Sequence, residues 1–373
     1  MTFEEGVQKF IDNNCYLSNG AGQLSKKWDL PEDLIREAKL EARKRIKGGM
    51  ENSTPTKGKL KSKWFNGKTW CESYDYTEEE IDTTDFEAIL TKVFKEKGEQ
   101  LELPEVTNSG YNLNIYLTDQ HIGASVENSL YSNHFDASVY KDRMNQVFKW
   151  IVDKYKLYGG FEVITIFFLG DTFDGQDGFT VKRTHDLPQN MSNEQAFEIG
   201  LRVNKLFLER LFQSKFASKF NVRFVRESNH GGSMDYYLFK ALETWIKDTY
   251  VVNCKIADSF IDVITIAGRS FIYSHGKDNK DMKTGLPLNL NDKTEVFLNQ
   301  YIYENNIKGK ISVVKADLHQ SNYNESKLFS YRNVPSLFGS SKWIMSNFGK
   351  TEPGVGWDLF NEDEIFGGVI KFK

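Results

Sequence analysis

Six histidines occur in the 373 residues, and four of them follow directly on an apolar run. Residues 113–117 lead into Thr118-Asp119-Gln120-His121, and 163–169 into Gly170-Asp171-Thr172-Phe173-Asp174. Residues 222–225 lead to Ser228-Asn229-His230-Gly231-Gly232. Residues 271–274 end in His275-Gly276, and 311–315 in Ala316-Asp317-Leu318-His319. A single Asp or His after a strand is ordinarily a turn or a cap. Five such endings in chain order point instead to one site. Carboxylate, carboxamide and imidazole, with no thiolate among them, are ligands for divalent metals of borderline hardness. They are too many for one ion, so the inference is a pair of metals.

Ligands on separate loops need a scaffold that brings them together. The apolar runs alternate with helical spacing at 139–155, 194–212 and 234–247. The run 163–169 lacks polar alternation, which predicts a strand buried on both faces. Further strand-rich stretches fall at 260–273 and 311–314, and a last one at 365–372. Strand and helix alternating from residue 111 onward predict a layered α/β domain. In an open sheet of that kind, ligands sit at the carboxyl ends of the strands. No repeat or low-complexity tract interrupts it.

The net charge of −4 hides an asymmetry. Residues 1–70 carry a net +5 and residues 71–106 a net −9. The expected organisation is a basic module over 1–70, an acidic connector over 71–110 and a catalytic domain over 111–373. A short stretch at 23–28, a turn, then a charged helix over 34–46 give the outline of a helix-turn-helix. That helix carries Arg36, Lys39, Arg43 and Lys44, the candidate nucleic-acid contacts. The stretch after it, GKLKSKWFNGKTW, alternates Lys with aromatics and suits a β-hairpin. The competing reading is a charged helical adaptor. The three cysteines are scattered and form no CxxC, which excludes a disulfide framework and a thiolate zinc site. No run approaches the length of a membrane span, and the first residues, MTFEEGVQKF, do not resemble a secretory signal. A reducing cytoplasm is the expected location.

The ordered set D-x-H, G-D-x-x-D, N-H, H and x-x-x-H resembles the calcineurin-like metallophosphoesterase family, from about Tyr111 to the C-terminus. The loop Pro335-Ser-Leu-Phe-Gly339 after the last histidine is similar to that of bacterial and phage members. The resemblance implies an α/β fold: a four-layer β-sandwich flanked by helices, here with a small, mainly helical N-terminal module. It also implies roles. Asp119, His121 and His319 would hold the first metal, and Asp171 would bridge both. Asn229 and His275 would hold the second. His230 would protonate the leaving oxygen, and Asp174 would hydrogen-bond His230 and raise its pKa. Three departures stand out: Ser228 for a glycine, Gly231 for an acid, and Asp317 for a second-metal histidine. Taken as a ligand, Asp317 hardens that site and favours Mn²⁺ or Mg²⁺ over Zn²⁺. The implied cofactors are therefore two divalent ions, Mn²⁺ first, with Mg²⁺, Fe and Zn²⁺ as alternatives.

The second motif, GDTFDG, lacks the arginine of the protein phosphatases and is closer to the nuclease and phosphodiesterase branch. Basic residues at the front suit a DNA substrate, since Lys and Arg neutralise backbone phosphates. Lys182, Arg183 and His185 are candidates to grip a phosphate. His134, flanked by Asn133 and Asp136, is expected to be merely exposed. The leading expectation is a two-metal phosphodiesterase cutting DNA, in a chain with no membrane partner; related nucleases often form homodimers. The alternatives are a phosphodiesterase for cyclic or small nucleotides, and a DNA-binding adaptor on a degenerate scaffold.

Overall fold

The computed structural model describes residues 2–12, 59–65, 70–75, 86–98, isolated positions between 24 and 42, and most of 108–372. Within the last span, 127–133, 182–186, 188, 278–284 and six positions between 342 and 350 lie outside the description. The chain separates into two compact units, Met1–Thr83 and Thr84–Lys373.

In the first unit, helix α1 (Phe3–Asp12) contributes Val7 to a small core. Leu24 and Trp28, four residues apart, join it, as do Ile35, Ala38 and Ala42. Those spacings place the apolar side chains on single helical faces. Strands β1 (Lys59–Phe65) and β2 (Trp70–Asp75) pair antiparallel, with Phe65 opposite Trp70, so the Lys- and aromatic-rich stretch forms the expected hairpin. Strand β2 crosses residue 70, where the charge pattern had ended the basic block.

The second unit is a mixed α/β sandwich. Helix α2 (Phe86–Lys95) opens it, and its buried Ile89 and Val93 lie in the main core. The stretch 71–110 therefore carries paired and packed elements, because an i, i+4 apolar pair inside an acidic segment is invisible to a charge count. The other elements are β3 (Asn112–Leu117), α3 (Ala137–Tyr158), β4 (Phe161–Phe168), α4 (Asn193–Gln213), β5 (Ala217–Phe224), α5 (Ser233–Thr249) and β6 (Asn253–Ile256). They continue with β7 (Ile261–Ile266), β8 (Arg269–Ser274), α6 (Asp292–Glu304), β9 (Lys310–Lys315), β10 (Asn322–Glu325), β11 (Phe329–Asn333), β12 (Gly354–Phe360) and β13 (Ile365–Lys371).

One sheet has the order β13-β12-β3-β4-β5-β6 and the other β10-β11-β9-β8-β7. Strands β3 to β6 run parallel, as do β8, β9 and β11. Residue alternation sets the layers. Ile164, Ile166 and Phe168 of β4 face helices α3, α4 and α5 through residues such as Val147, Leu208 and Phe239. Phe167 of the same strand and Leu169 just beyond it face the other sheet, meeting Phe271, Tyr273 and Val314. Helix α6 covers the far side of the second sheet with Leu298 and Ile302. The result is four layers, helix–sheet–sheet–helix, and the run 163–169 is buried on both faces beyond its first residues. Among the described residues, no helix is long and apolar enough to cross a membrane.

Candidate metal centre

Parallel pairing brings the strand ends together. Leu117 lies opposite Phe168, so the segments after β3 and β4 leave the sheet side by side. Their backbones stay zipped: Asp119 N–H donates to the Gly170 carbonyl at 3.1 Å, His121 to Asp171 at 3.1 Å and Ile122 to Thr172 at 2.8 Å. In the other sheet Ser274 lies opposite Lys315, and Ala316 N–H donates to the His275 carbonyl at 3.2 Å. Gly170 sits where these loops crowd. Its φ is +92°, and a Cβ there would lie 2.9 Å from Ser228 Cβ and 3.1 Å from His275 Nδ1, so only glycine fits.

Three imidazoles are oriented by oxygen partners on one ring nitrogen. His121 Nδ1 lies 2.7 Å from Asp174 Oδ1, His275 Nδ1 2.8 Å from the Leu169 carbonyl, and His319 Nδ1 2.7 Å from the Gly339 carbonyl. With Nδ1–H donating, each ring in the neutral form that binds a metal turns an Nε2 lone pair inward. His121 Nε2 and His319 Nε2 are 3.2 Å apart, and Asp119 Oδ1 lies 3.8 and 3.3 Å from them. His275 Nε2 meets Asn229 Oδ1 at 2.9 Å, Asp171 Oδ2 at 3.1 Å and Asp317 Oδ1 at 3.9 Å. Lone pairs facing lone pairs need a cation between them. Ligands bound at about 2.1 Å are themselves spaced by roughly 3.0–3.5 Å, and the shorter spacings in both clusters, 2.9 to 3.3 Å, lie close to that. Asp119 Oδ1 is buried with no hydrogen-bond partner, the mark of an atom reserved for something else. The donors therefore fit two adjoining cations. Among the described residues Asp119 belongs to two of three such groups, with His121 and His319 on one side and Asp171 and His275 on the other; the third is His121, Asp174 and His230.

The electrostatics report the same crowding. Burial pulls the His121 pKa down, but the facing carboxylates of Asp119 and Asp174 outweigh it and, with no metal present, lift the value to about 10. Burial likewise opposes His275, and the Asp171 charge raises it to about 10. Burial would raise Asp119 and Asp171, yet His319 holds the first, and His275 the second, well below the ordinary carboxylate range. Asp317 is raised by burial, with His275 and the buried Lys315 pulling the other way. Asp235 is raised to about 7 by burial and the nearby Asp171 charge.

Asp119, His121, Asp171, Asp174, Asn229, His230, His275, Asp317 and His319 thus converge at one end of the sandwich. Asp174 departs from its expected pairing. Its short bond goes to His121, and His230 Nδ1 lies 3.6 Å from the same oxygen, beyond hydrogen-bond length. The reason is that His121 turns Nε2 inward, which leaves its Nδ1 facing Asp174. His230 is held through its backbone, N–H donating to Asp171 Oδ1 at 2.8 Å. Its ring lies edge-on to His121 with centroids 4.7 Å apart, and its side chain is 20% exposed. Lys182, Arg183 and His185 lie outside the described residues, as do Arg36, Arg43 and Lys44; Lys39 is half-buried in the first unit. His134 is exposed and lies 3.1 Å from Asp136, the N-cap of α3.

Some of the machinery carried no chemical signal in the sequence. Arg143 on α3 is buried and donates to the carbonyls of Leu337 and Phe338 at 2.8 and 2.7 Å. That loop in turn donates from Phe338 N–H to the Asp119 carbonyl at 3.0 Å and accepts from His319 at Gly339. The segment 335–339 was notable in the sequence as a pattern, and its contacts hold Asp119 and His319 in place. Asp235 gave no signal, since it is one acid in the first turn of a helix.

No protein-family model matches the chain, and no curated protein matches it. It is similar to several solved structures. One is wild-type Vps29 from Entamoeba histolytica complexed with Zn²⁺, at 12% identity over 70% of this chain and 99% of that one, TM-score 0.31. Another is an archaeal phosphodiesterase, at 10% identity over 69% of this chain and 99% of that one, TM-score 0.34. A third is the 5'-nucleotidase of Candida albicans, at 12% identity over 74% of this chain and 54% of that one, TM-score 0.36.

Proposed function

We propose that the chain is a two-metal phosphodiesterase acting on DNA. The observation that carries this is the pair of inward-facing donor clusters meeting at Asp119, with the partly exposed His230 beside them. In this reading Asp119, His121 and His319 would hold one divalent cation, and Asp171, Asn229, His275 and Asp317 the other, with Asp119 common to both donor groups. When bound, the pair would lower the pKa of a water and offset the charge of an in-line displacement at phosphorus. The chain's own part is positional and protonic. His230 holds a proton at its ring for the departing ester oxygen, and the Asp171 carboxylate fixes its backbone. Asp174 sets the His121 ring and supplies negative charge beside His230. The carboxylate of Asp317 near His275 makes the second site harder, which favours Mn²⁺.

DNA is supported by the net +5 of residues 1–70 and by the Lys-rich hairpin β1–β2. The test is a screen of the purified chain with Mn²⁺, Mg²⁺ and Zn²⁺ against bis-p-nitrophenyl phosphate, single-stranded DNA, duplex DNA and cyclic nucleotides. Mn²⁺-stimulated cleavage of DNA is expected, and Asp171→Asn should lower it by at least about 10³-fold. Turnover of cyclic or small nucleotides without DNA cleavage selects a nucleotide phosphodiesterase. No turnover of any ester with any of the metals overturns the enzyme reading.

A further inference from the structure

The loop after β5 departs from the family pattern at Ser228 and at Gly231, and one residue beyond the loop accounts for both. Asp235, in the first turn of α5, is fully buried. Its Oδ2 accepts from Ser228 Oγ at 2.8 Å and from Thr172 N–H at 3.2 Å, and its Oδ1 accepts from Phe173 N–H at 3.2 Å. Ser228 Oγ also accepts from Gly232 N–H at 3.4 Å. A Cβ added to Gly231 would fall 1.9 Å from Asp235 Oδ1 and 2.3 Å from its Cγ. The backbone of Gly231 is not in the left-handed region, so its conformation does not demand glycine. What demands it is the carboxylate of Asp235, which fills the space where a side chain at 231 would begin.

These contacts close a ring. Asp235 holds the two amides that follow Asp171, Asp171 Oδ1 holds the amide of His230, and His230 leads into Gly231, which lies against Asp235. The β4 and β5 loops, which carry Asp171, Asn229 and His230, are thereby set in one register. An acid at the start of a helix commonly serves only the helix dipole. Here the donors come from two other segments instead.

We propose that Asp235 is a positioning residue of this site, providing from α5 the carboxylate that the family pattern places directly after His230. The inference rests on the metal-dependent phosphodiesterase reading. Its experiment compares the full-length parent with Asp235→Ala, Asp235→Asn, Asp235→Gly and the relocated pair Gly231→Asp/Asp235→Gly. Thermal unfolding, Mn²⁺ affinity by calorimetry, and kcat and KM on bis-p-nitrophenyl phosphate are measured for each.

Asp235→Ala is expected to weaken Mn²⁺ binding about 10- to 100-fold, as loss of a group that orients ligands does. Its kcat should fall by about 100-fold or more with KM changed less than about threefold. Asp235→Asn, which keeps one acceptor oxygen, should fall between Asp235→Ala and the parent. The relocated pair should regain at least about tenfold in kcat over Asp235→Gly, a rescue that a purely helical role for Asp235 would not give. The proposal is overturned if folded Asp235→Ala keeps kcat and Mn²⁺ affinity within about threefold of the parent, or if the relocated pair recovers nothing. Should Asp235→Ala not fold, Asp235→Asn and the relocated pair decide by the same criteria, and a relocated pair that also fails to fold counts against the idea. A parent that binds Mn²⁺ but hydrolyses nothing sinks the enzyme reading and leaves the affinity ratios to decide the positioning role. A parent that binds no Mn²⁺ overturns both.

Discussion

At the scale of single residues, backbone conformation separates the site from the rest of the chain. Among the described residues nine non-glycine residues have positive φ, and Asp119, His121, Asp171, Asp317 and His319 are five of them. Asp and His tolerate the left-handed region better than most residues, yet each such residue still stores strain that its surroundings must hold. Here the zipped β3 and β4 loops and the 335–339 clamp do so. The residue types were legible in the sequence, because carboxylates and imidazoles after apolar runs state their chemistry directly. The left-handed turns were not, since Asp-x-His is equally compatible with an ordinary cap. His230 is the one imidazole of the site left partly open, at 20% exposure. His230→Gln should therefore lower kcat on bis-p-nitrophenyl phosphate by about 10²–10⁴-fold, the usual worth of a general acid. Mn²⁺ affinity, measured by calorimetry, should stay within about threefold. A parallel loss of affinity would instead make His230 a ligand.

At the scale of elements, the strand endings determine what can meet. Parallel β3, β4 and β5 deliver three motifs to one edge, and parallel β8 and β9 deliver two more across the sandwich. The contribution of α3 is less evident from its sequence. Its buried Arg143 reaches the loop that sets His319 and backs Asp119. A buried guanidinium bonded to two carbonyls is expensive to lose, because hydrogen bonds to charged groups contribute about 1.5–3 kcal/mol each. Arg143→Met should lower the unfolding free energy by roughly 2–4 kcal/mol in urea titration and weaken Mn²⁺ binding about tenfold. Unchanged affinity in a destabilised variant would mean that the loop holds its shape without the arginine. Helical periodicity revealed α3, α4 and α5, but the basic residue of α3 looked like any solvated charge until its partners were seen.

At the scale of the molecule, a basic stretch over residues 1–70 and the Asp/His cluster of the second unit share one chain whose net charge is only −4. If residues 1–70 engage DNA through its phosphates, the two substrates should respond differently to salt. The kcat/KM for duplex DNA should fall steeply between about 50 and 200 mM KCl, by about 10- to 1,000-fold for a handful of phosphate contacts. The rate on bis-p-nitrophenyl phosphate should change less than about threefold over the same range. Equal salt dependence of the two rates would remove residues 1–70 from substrate binding.

Local chemistry and periodicity were enough to name the side chains that converge at one end of the sandwich, to order them along the chain and to place each at the end of a strand in a layered α/β domain. Those properties depend on residues a few positions apart, and an amphipathic or alternating pattern records them faithfully. The packing of two sheets had to decide the rest. It set Asp119 between two clusters, turned Asp174 toward His121, and brought Arg143 to the loop at 335–339. It also put the carboxylate of Asp235 in the space that Gly231 leaves vacant. Each of these is a distance between segments far apart in the chain, fixed by strand register and by which side chains exclude one another, and no local pattern encodes it.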